Sequence, residues 1–304
     1  MRRLKKGIIP NIPVRFMTFL GRKILRLDQL FNLMNRQAYS RTLRNSISRI
    51  PLARPLFYLV YYLLLNAMIV WPKGQSLWLV KLPMGPRWLT PDLSDAIDHI
   101  TVIWRRGIYD RFSLREGQVV IDAGAHIGIY TVRASKQVGK TGIVVAIEPH
   151  PTNFECLQTN LKLNKCTNVI PVRAALASTG GEVNLSLDAS SAGHYVTSGR
   201  SNESISVRSI SLDQLLKDLK LTTVHLLKAN VEGTMTDVLK GAEKTLENSK
   251  LRIVTTVNHY PAEREEIANF LSNGGFIISG GNDVLYAGPD SDSADLINSS
   301  DMAR

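Results

Sequence analysis

The chain has 304 residues, 44% of them hydrophobic and 21% charged, an ordinary globular balance that permits one large domain with an appendage. Its net charge of +11 is uneven: residues 1–54 hold 13 Lys or Arg against Asp28 alone, and the other 250 carry 24 basic and 25 acidic side chains. The basicity therefore belongs to an N-terminal arm suited to an anionic surface, while two cysteines without C-x-x-C spacing, Cys156 and Cys166, exclude a cysteine metal site. They read as packing thiols in a reducing compartment.

From Val14 to Met34, apolar residues recur at Phe16, Phe19, Leu20, Ile24, Leu27, Leu30, Phe31 and Met34, with Arg15, Arg22, Lys23 and Arg26 between them. That spacing predicts a basic amphipathic helix lying in a membrane interface, with packing on the domain as the alternative. Leu56 to Trp71 is apolar except for Asn66 and three tyrosines, and lies between Pro55 and Pro72. As a helix it reaches roughly 24 Å, short of a hydrocarbon core of about 30 Å, which favours a re-entrant or interfacial anchor or a buried helix over a single span. No signal-peptide cleavage pattern is evident. Residues 1–75 are therefore expected to be a helical, membrane-associating extension.

Residues 76–117 form a lead-in, with a strand over Ser76–Leu82 ended by Pro83 and Gly85 and a helix over Asp92–Arg106. The main domain, 118–290, alternates strands near 118–122, 143–148, 168–172, 223–229, 251–257, 275–279 and 283–287 with helices near 128–138, 151–164, 235–247 and 262–273. This predicts an α/β fold with a mostly parallel, doubly wound sheet of about seven strands. Glu182–Leu187 and Ser204–Ile210 alternate at period two and suggest an added hairpin. Its Ser- and Gly-rich loop, 189–202, is placed to cover an acceptor site. The polar tail 291–304 is expected to be disordered.

Residues 119–128 read Val-Val-Ile-Asp-Ala-Gly-Ala-His-Ile-Gly. A β-branched strand ends at Asp122, and Gly124 and Gly128 bracket the turn into the next helix. Twenty positions past Gly128, Glu148 closes the following strand, where an acid can accept both hydroxyls of a ribose. His126 occupies the place where a dinucleotide loop needs its second glycine, which argues against NAD or FAD, and no P-loop occurs. An acid before the loop suits a phosphate-free nucleoside with a cationic amino-acid tail, namely S-adenosyl-L-methionine. Asp122 and the backbone of Gly124, Ala125 and Gly128 are expected at that tail, Glu148 and Pro149 at the ribose, and Ala174 beside the adenine.

Val120–Thr131, Ala-Ile-Glu-Pro-His-Pro (146–151), Asn160 with Leu163-Asn164, and Lys-Ala-Asn-Val-Glu-Gly (228–233) resemble the FkbM family of S-adenosylmethionine-dependent methyltransferases. The resemblance covers about residues 100–288 and implies a Rossmann-like class I methyltransferase fold and O-methylation, often of sugars or natural-product hydroxyls. The family usually has Asp-Val-Glu-Gly-x-Glu where this chain has Asn230-Val231-Glu232-Gly233-Thr234-Met235, and Glu before His where it has Asn258-His259. The acceptor side is thus depleted of carboxylates, and no metal is expected.

Lys228, Asn230 and Glu232 sit at or beyond a strand tip, where open α/β sheets place their active sites. Glu232 is the first choice for a base and His259 the second; Lys228 could hold an anionic acceptor or pair with Glu232. The bland reading of Glu232 is a helix cap, and that of His259 a loop-orienting residue. The expected acceptor is a hydroxyl of a glycan, a lipid-linked sugar, a lipid headgroup or a small molecule. The arm is expected on an anionic membrane surface at the cytoplasmic inner face. RNA methylation and a non-catalytic cofactor-binding scaffold stand as alternatives.

Overall fold

The computed structural model describes residues 69–73, 77–82, 85–187, 195–197, 204–248 and 250–289. The helix expected at 14–34, most of the apolar stretch 56–71 and the tail 291–304 lie outside them. The chain divides into two compact units, residues 1–69 with 81–85 and residues 70–80 with 86–304; the second carries the site.

Three strands come first: β1 (Ile69–Lys73), β2 (Leu77–Lys81) and β3 (Arg87–Thr90), forming a small sheet in that order. β1 corrects the expectation that helix could reach Trp71, and its pairing with β2 carries one sheet across the boundary expected after residue 75. The β-branched and aromatic run Ile69-Val70-Trp71 suits an extended, paired backbone. Helix α1 (Leu93–His99) begins at Asp92, whose carboxylate accepts from the Asp95 amide at 3.1 Å. The expected helix then continues to Arg105 as a π-helix, Ile100–Arg105, a form that often marks a functional site.

The main domain follows as β4 (Val119–Ala123), α2 (Ile129–Gln137), β5 (Ile143–Ile147), α3 (Pro151–Leu163), β6 (Val169–Val172), β7 (Ala175–Leu176), β8 (Gly181–Ser186), β9 (Tyr195–Thr197), β10 (Ser204–Ile210), α4 (Leu212–Asp218), β11 (Leu226–Ala229), α5 (Met235–Lys240), α6 (Glu243–Leu246), β12 (Arg252–Thr256), α7 (Glu263–Asn273), β13 (Ile277–Gly280) and β14 (Val284–Gly288). The large sheet has the order β13-β14-β12-β11-β4-β5-β6. Only β14 runs against the others. This is the doubly wound, Rossmann-like arrangement expected.

β8 and β10 pair antiparallel as the alternation suggested, and β9, inside the segment expected to be loop, adds to β8. The helix expected over 235–247 is broken at Gly241, where a Cβ would stand 2.2 Å from the carbonyl oxygen of Ala177. β11 is only four residues long, and burial on both faces holds it: Leu226, Leu227 and Ala229 are fully buried, each leucine contributing roughly 2 kcal/mol.

The motif Asn160…Asn164 has a structural explanation. These residues lie one turn apart on or just past α3, and their amides pair with the backbone of β3 as a strand would. Asn160 accepts from the Leu89 amide at 2.6 Å and donates to the Leu89 carbonyl at 2.9 Å; Asn164 accepts from Arg87 at 3.0 Å and donates back to it at 2.6 Å. Asn160 also donates to the Ile127 carbonyl at 2.8 Å, tying the glycine loop to the same point. An Asn160→Leu variant leaves these buried groups unpaired and is expected to lose about 3 kcal/mol in urea unfolding. A loss below about 1 kcal/mol would show that the pairing is dispensable.

Candidate active site

A cleft enclosing about 840 Å³, open mouth included, lies at the carboxyl ends of β4, β5 and β11. Strand order reverses here, between β4 and β11, where open α/β sheets bind their ligands. Gly124 makes the reversal compact: it has φ +68°, and a Cβ would meet the Asn230 carbonyl oxygen at 1.8 Å. Its first role is therefore to let two strand tips touch. Gly128 does not line the cleft; it caps α2, and a Cβ there would run into Leu157 at 2.6 Å.

Glu148, Pro149, Ala125 and Ala174 line the cleft together with Gly124. The Glu148 carboxyl accepts from the His126 amide at 2.8 Å and the His150 amide at 3.0 Å, one on each oxygen, and with the Asn153 side chain as a third donor it still has a lone pair for one more. Burial pushes this carboxyl up to about 7, against the two amides, the Asn153 side chain and the charge of Lys228. Ribose hydroxyls would donate to its ionised form. Affinity for S-adenosylmethionine is therefore expected to rise from about pH 6 to about pH 8 in calorimetric titrations, and to stay flat in Glu148→Gln. Without ligand the sign reverses. The folded chain holds a proton that the unfolded chain releases, so this group costs stability as pH climbs from the usual carboxylate range to about 7.

Asp122 does not line the cleft. It is fully buried, with one oxygen 2.8 Å from Lys228 Nζ and the other accepting from the Thr131 hydroxyl at 2.6 Å. Lys228 also donates to the Gly124 carbonyl at 3.0 Å, and its ammonium lies 5.3 Å and 5.7 Å from the ring centroids of Tyr109 and Tyr130. Its ion-pair partner is thus Asp122 and not Glu232, as the sequence reading allowed. Lys228 itself borders the cleft, as do His99 from α1 and Ile103 from the π-helix. Arg133 holds that wall on α2 by donating to the Trp104 carbonyl at 2.8 Å and pairing with Asp110.

Asn230 and Glu232 complete the lining on the β11 side. The Asn230 side-chain oxygen accepts from the Thr256 hydroxyl, and Met235, where the family usually has an acid, is buried in the core. Glu232 stands in the left-handed region at φ +46°. Its carboxylate is 3.4 Å from His259 Nε2, and Thr234, not Glu232, occupies the N-cap of α5, so the helix-cap reading does not hold. His259 sits behind the cleft wall, with Nδ1 2.8 Å from Glu263. Burial lowers the His259 pKa, but the carboxylates of Glu232 and Glu263 outweigh it and hold the imidazole above its ordinary value. Among the described residues no group of three or more His, Cys, Asp or Glu is arranged to hold a metal ion.

The donor set fits S-adenosylmethionine. Glu148 is a buried carboxyl with spare accepting capacity, and the walls beside it are apolar at Ile147, Ala174 and Leu176. Residues 122–278, just over half the chain, match the model of the FkbM methyltransferase domain.

The chain belongs to the FkbM methyltransferase family.

Its cofactor is S-adenosyl-L-methionine. The methyltransferase is 28% identical over 188 residues to the hexuronic acid methyltransferase AglP of Haloferax volcanii, covering 58% of this chain and 74% of that one. Over 83 residues it is 40% identical to a tRNA(Phe) (4-demethylwyosine(37)-C(7)) aminocarboxypropyltransferase of Methanocaldococcus jannaschii, covering 26% of this chain and 33% of that one. A crystal structure of an FkbM methyltransferase from Methylobacillus flagellatus aligns with 16% identity and a TM-score of 0.43, over 56% of this chain and 43% of that one.

Sequence reasoning does not single out Glu263, Thr131, Asn153 or His99. Glu263 had a signal, its position four residues after His259. Thr131 had none, because its tie to Asp122 depends on the turn that the glycine loop makes.

Proposed function

We propose that the methyltransferase acts on a hydroxyl of a glycan, a lipid-linked sugar or a lipid headgroup, with the basic arm held on an anionic membrane surface at the cytoplasmic face. The observation that carries the reading is that one cleft is lined by both Glu148, a buried carboxyl placed to accept from a ribose, and Glu232, a carboxylate beside an imidazole. S-adenosylmethionine supplies the methyl group on a sulfonium, so transfer to a hydroxyl releases one proton. Glu232 takes that proton, and Lys228 keeps the strand tips beneath it in place. The similarity to a hexuronic acid methyltransferase supports a sugar acceptor. The net +12 of residues 1–54 supports the anionic surface.

Among the described residues no helix is long and apolar enough to cross a membrane. Mass spectrometry of lipids and glycans from cells with and without the gene is expected to show a species heavier by one methyl substitution only when the gene is present. An unchanged glycolipid profile, together with steeply salt-dependent RNA binding by the full chain, would replace this reading with RNA modification. Cofactor binding with no methylated product of any kind would point to a scaffold.

A further inference from the structure

Glu263 lies outside the cleft and is only 1% exposed, yet it directs both carboxylate oxygens at the side chain that backs Glu232. His259 Nδ1 is 3.0 Å and 2.8 Å from the two oxygens, and the His259 amide donates to one of them at 2.9 Å. A carboxylate can only accept, so Nδ1 must carry its hydrogen. That assigns the other nitrogen. Nε2 is the atom that gains or loses a proton, and it faces Glu232 at 3.4 Å. The array is anchored at each end: Glu263 opens α7, and Glu232 is pinned by the left-handed turn formed with Gly233 at φ +82°.

Resting on the O-methyltransferase reading above, we propose that Glu232, His259 and Glu263 form a proton relay in which Glu263 is the positioning residue. The acceptor's O–H bond breaks, its proton moves to a Glu232 oxygen, and from there to Nε2 of His259. The resulting imidazolium lies between two carboxylates, and Glu232 is left ionised. No other reactant is needed, because the proton passes to solvent from the partly exposed imidazole. The relay works when Nε2 is free, so turnover rises with pH through the His259 midpoint. The groups facing His259 are Glu232 from the turn after β11 and Glu263 from α7; neighbouring Tyr260 is turned to Glu266, to which its hydroxyl donates at 2.6 Å.

The test titrates the His259 imidazole by nitrogen-15 NMR in the full chain, and in Glu263→Gln, Glu263→Asp and Glu232→Gln. Glutamine keeps one oxygen to accept from the His259 amide, removes the negative charge and turns the other oxygen into an NH2 donor. In the parent the midpoint is expected above the ordinary histidine value. It is expected to fall by about one unit or more in Glu263→Gln and Glu232→Gln, with Glu263→Asp in between. With octyl glucuronide as probe acceptor, the kcat midpoint is expected to move to lower pH with the NMR midpoint in Glu263→Gln, while calorimetric S-adenosylmethionine affinity stays at the parent value. A His259 midpoint unmoved by Glu263→Gln overturns the relay, as does one that moves while the pH profile of kcat does not. Failure of the parent to bind S-adenosylmethionine would sink the methyl-transfer reading instead. If the parent binds it but leaves the probe unmethylated, the sugar-acceptor reading fails and the titration alone decides the relay.

Discussion

Lys228→Met is expected to destabilise the methyltransferase by about 3–5 kcal/mol. Methionine matches the length and apolar stem of lysine, so the cost is electrostatic. It strands the carboxylate of Asp122, which is fully buried and, among the described residues, keeps the Thr131 hydroxyl as its side-chain partner. It also leaves the Gly124 carbonyl without the ammonium that approaches it at 3.0 Å. Adding Asp122→Asn to Lys228→Met removes the stranded charge, and the double variant is expected to regain most of the loss in urea unfolding. Equal stability of single and double variants would mean that packing between Tyr109 and Tyr130, and not the ion pair, is what Lys228 provides.

That ion pair also shows where the sequence stops being legible. Asp122 and Lys228 are each readable as polar residues at the end of an apolar strand. Their pairing follows from the parallel register of β4 and β11, which sets them side by side across 106 positions of chain. Nothing local encodes strand order or register, so from sequence alone Asp122 reads as a ligand contact and Lys228 as a partner for the acceptor or for Glu232. Glu148 was readable because its position depends only on the length of one β-α-β unit. The glycine loop was readable for the same reason, although the contacts that make glycine necessary, Asn230 and Leu157, are long-range. The π-helix at Ile100–Arg105 reads as ordinary helix in the sequence because six residues are too few to show a different period. The resemblance reached the motif Asn160…Asn164 without its reason, since β3 precedes Asn160 by 71 positions.

Glu232→Gln is expected to lower kcat for the hydroxyl acceptor by about 10²- to 10⁴-fold while leaving S-adenosylmethionine affinity near the parent value. The amide keeps the size of the side chain and cannot take the proton. Glu232→Gly separates this role from a structural one. A residue other than glycine in the left-handed region is held there at a cost of about 1–2 kcal/mol, and glycine adopts it freely at some cost in chain entropy. At φ +46° the glycine variant is therefore expected to match the parent in stability or exceed it by up to about 1 kcal/mol, while losing as much rate as Glu232→Gln. Strain retained where removing it abolishes turnover marks a position kept for chemistry. If the glycine variant unfolds earlier than the parent and keeps its rate, Glu232 is a structural residue and the base lies elsewhere on the cleft.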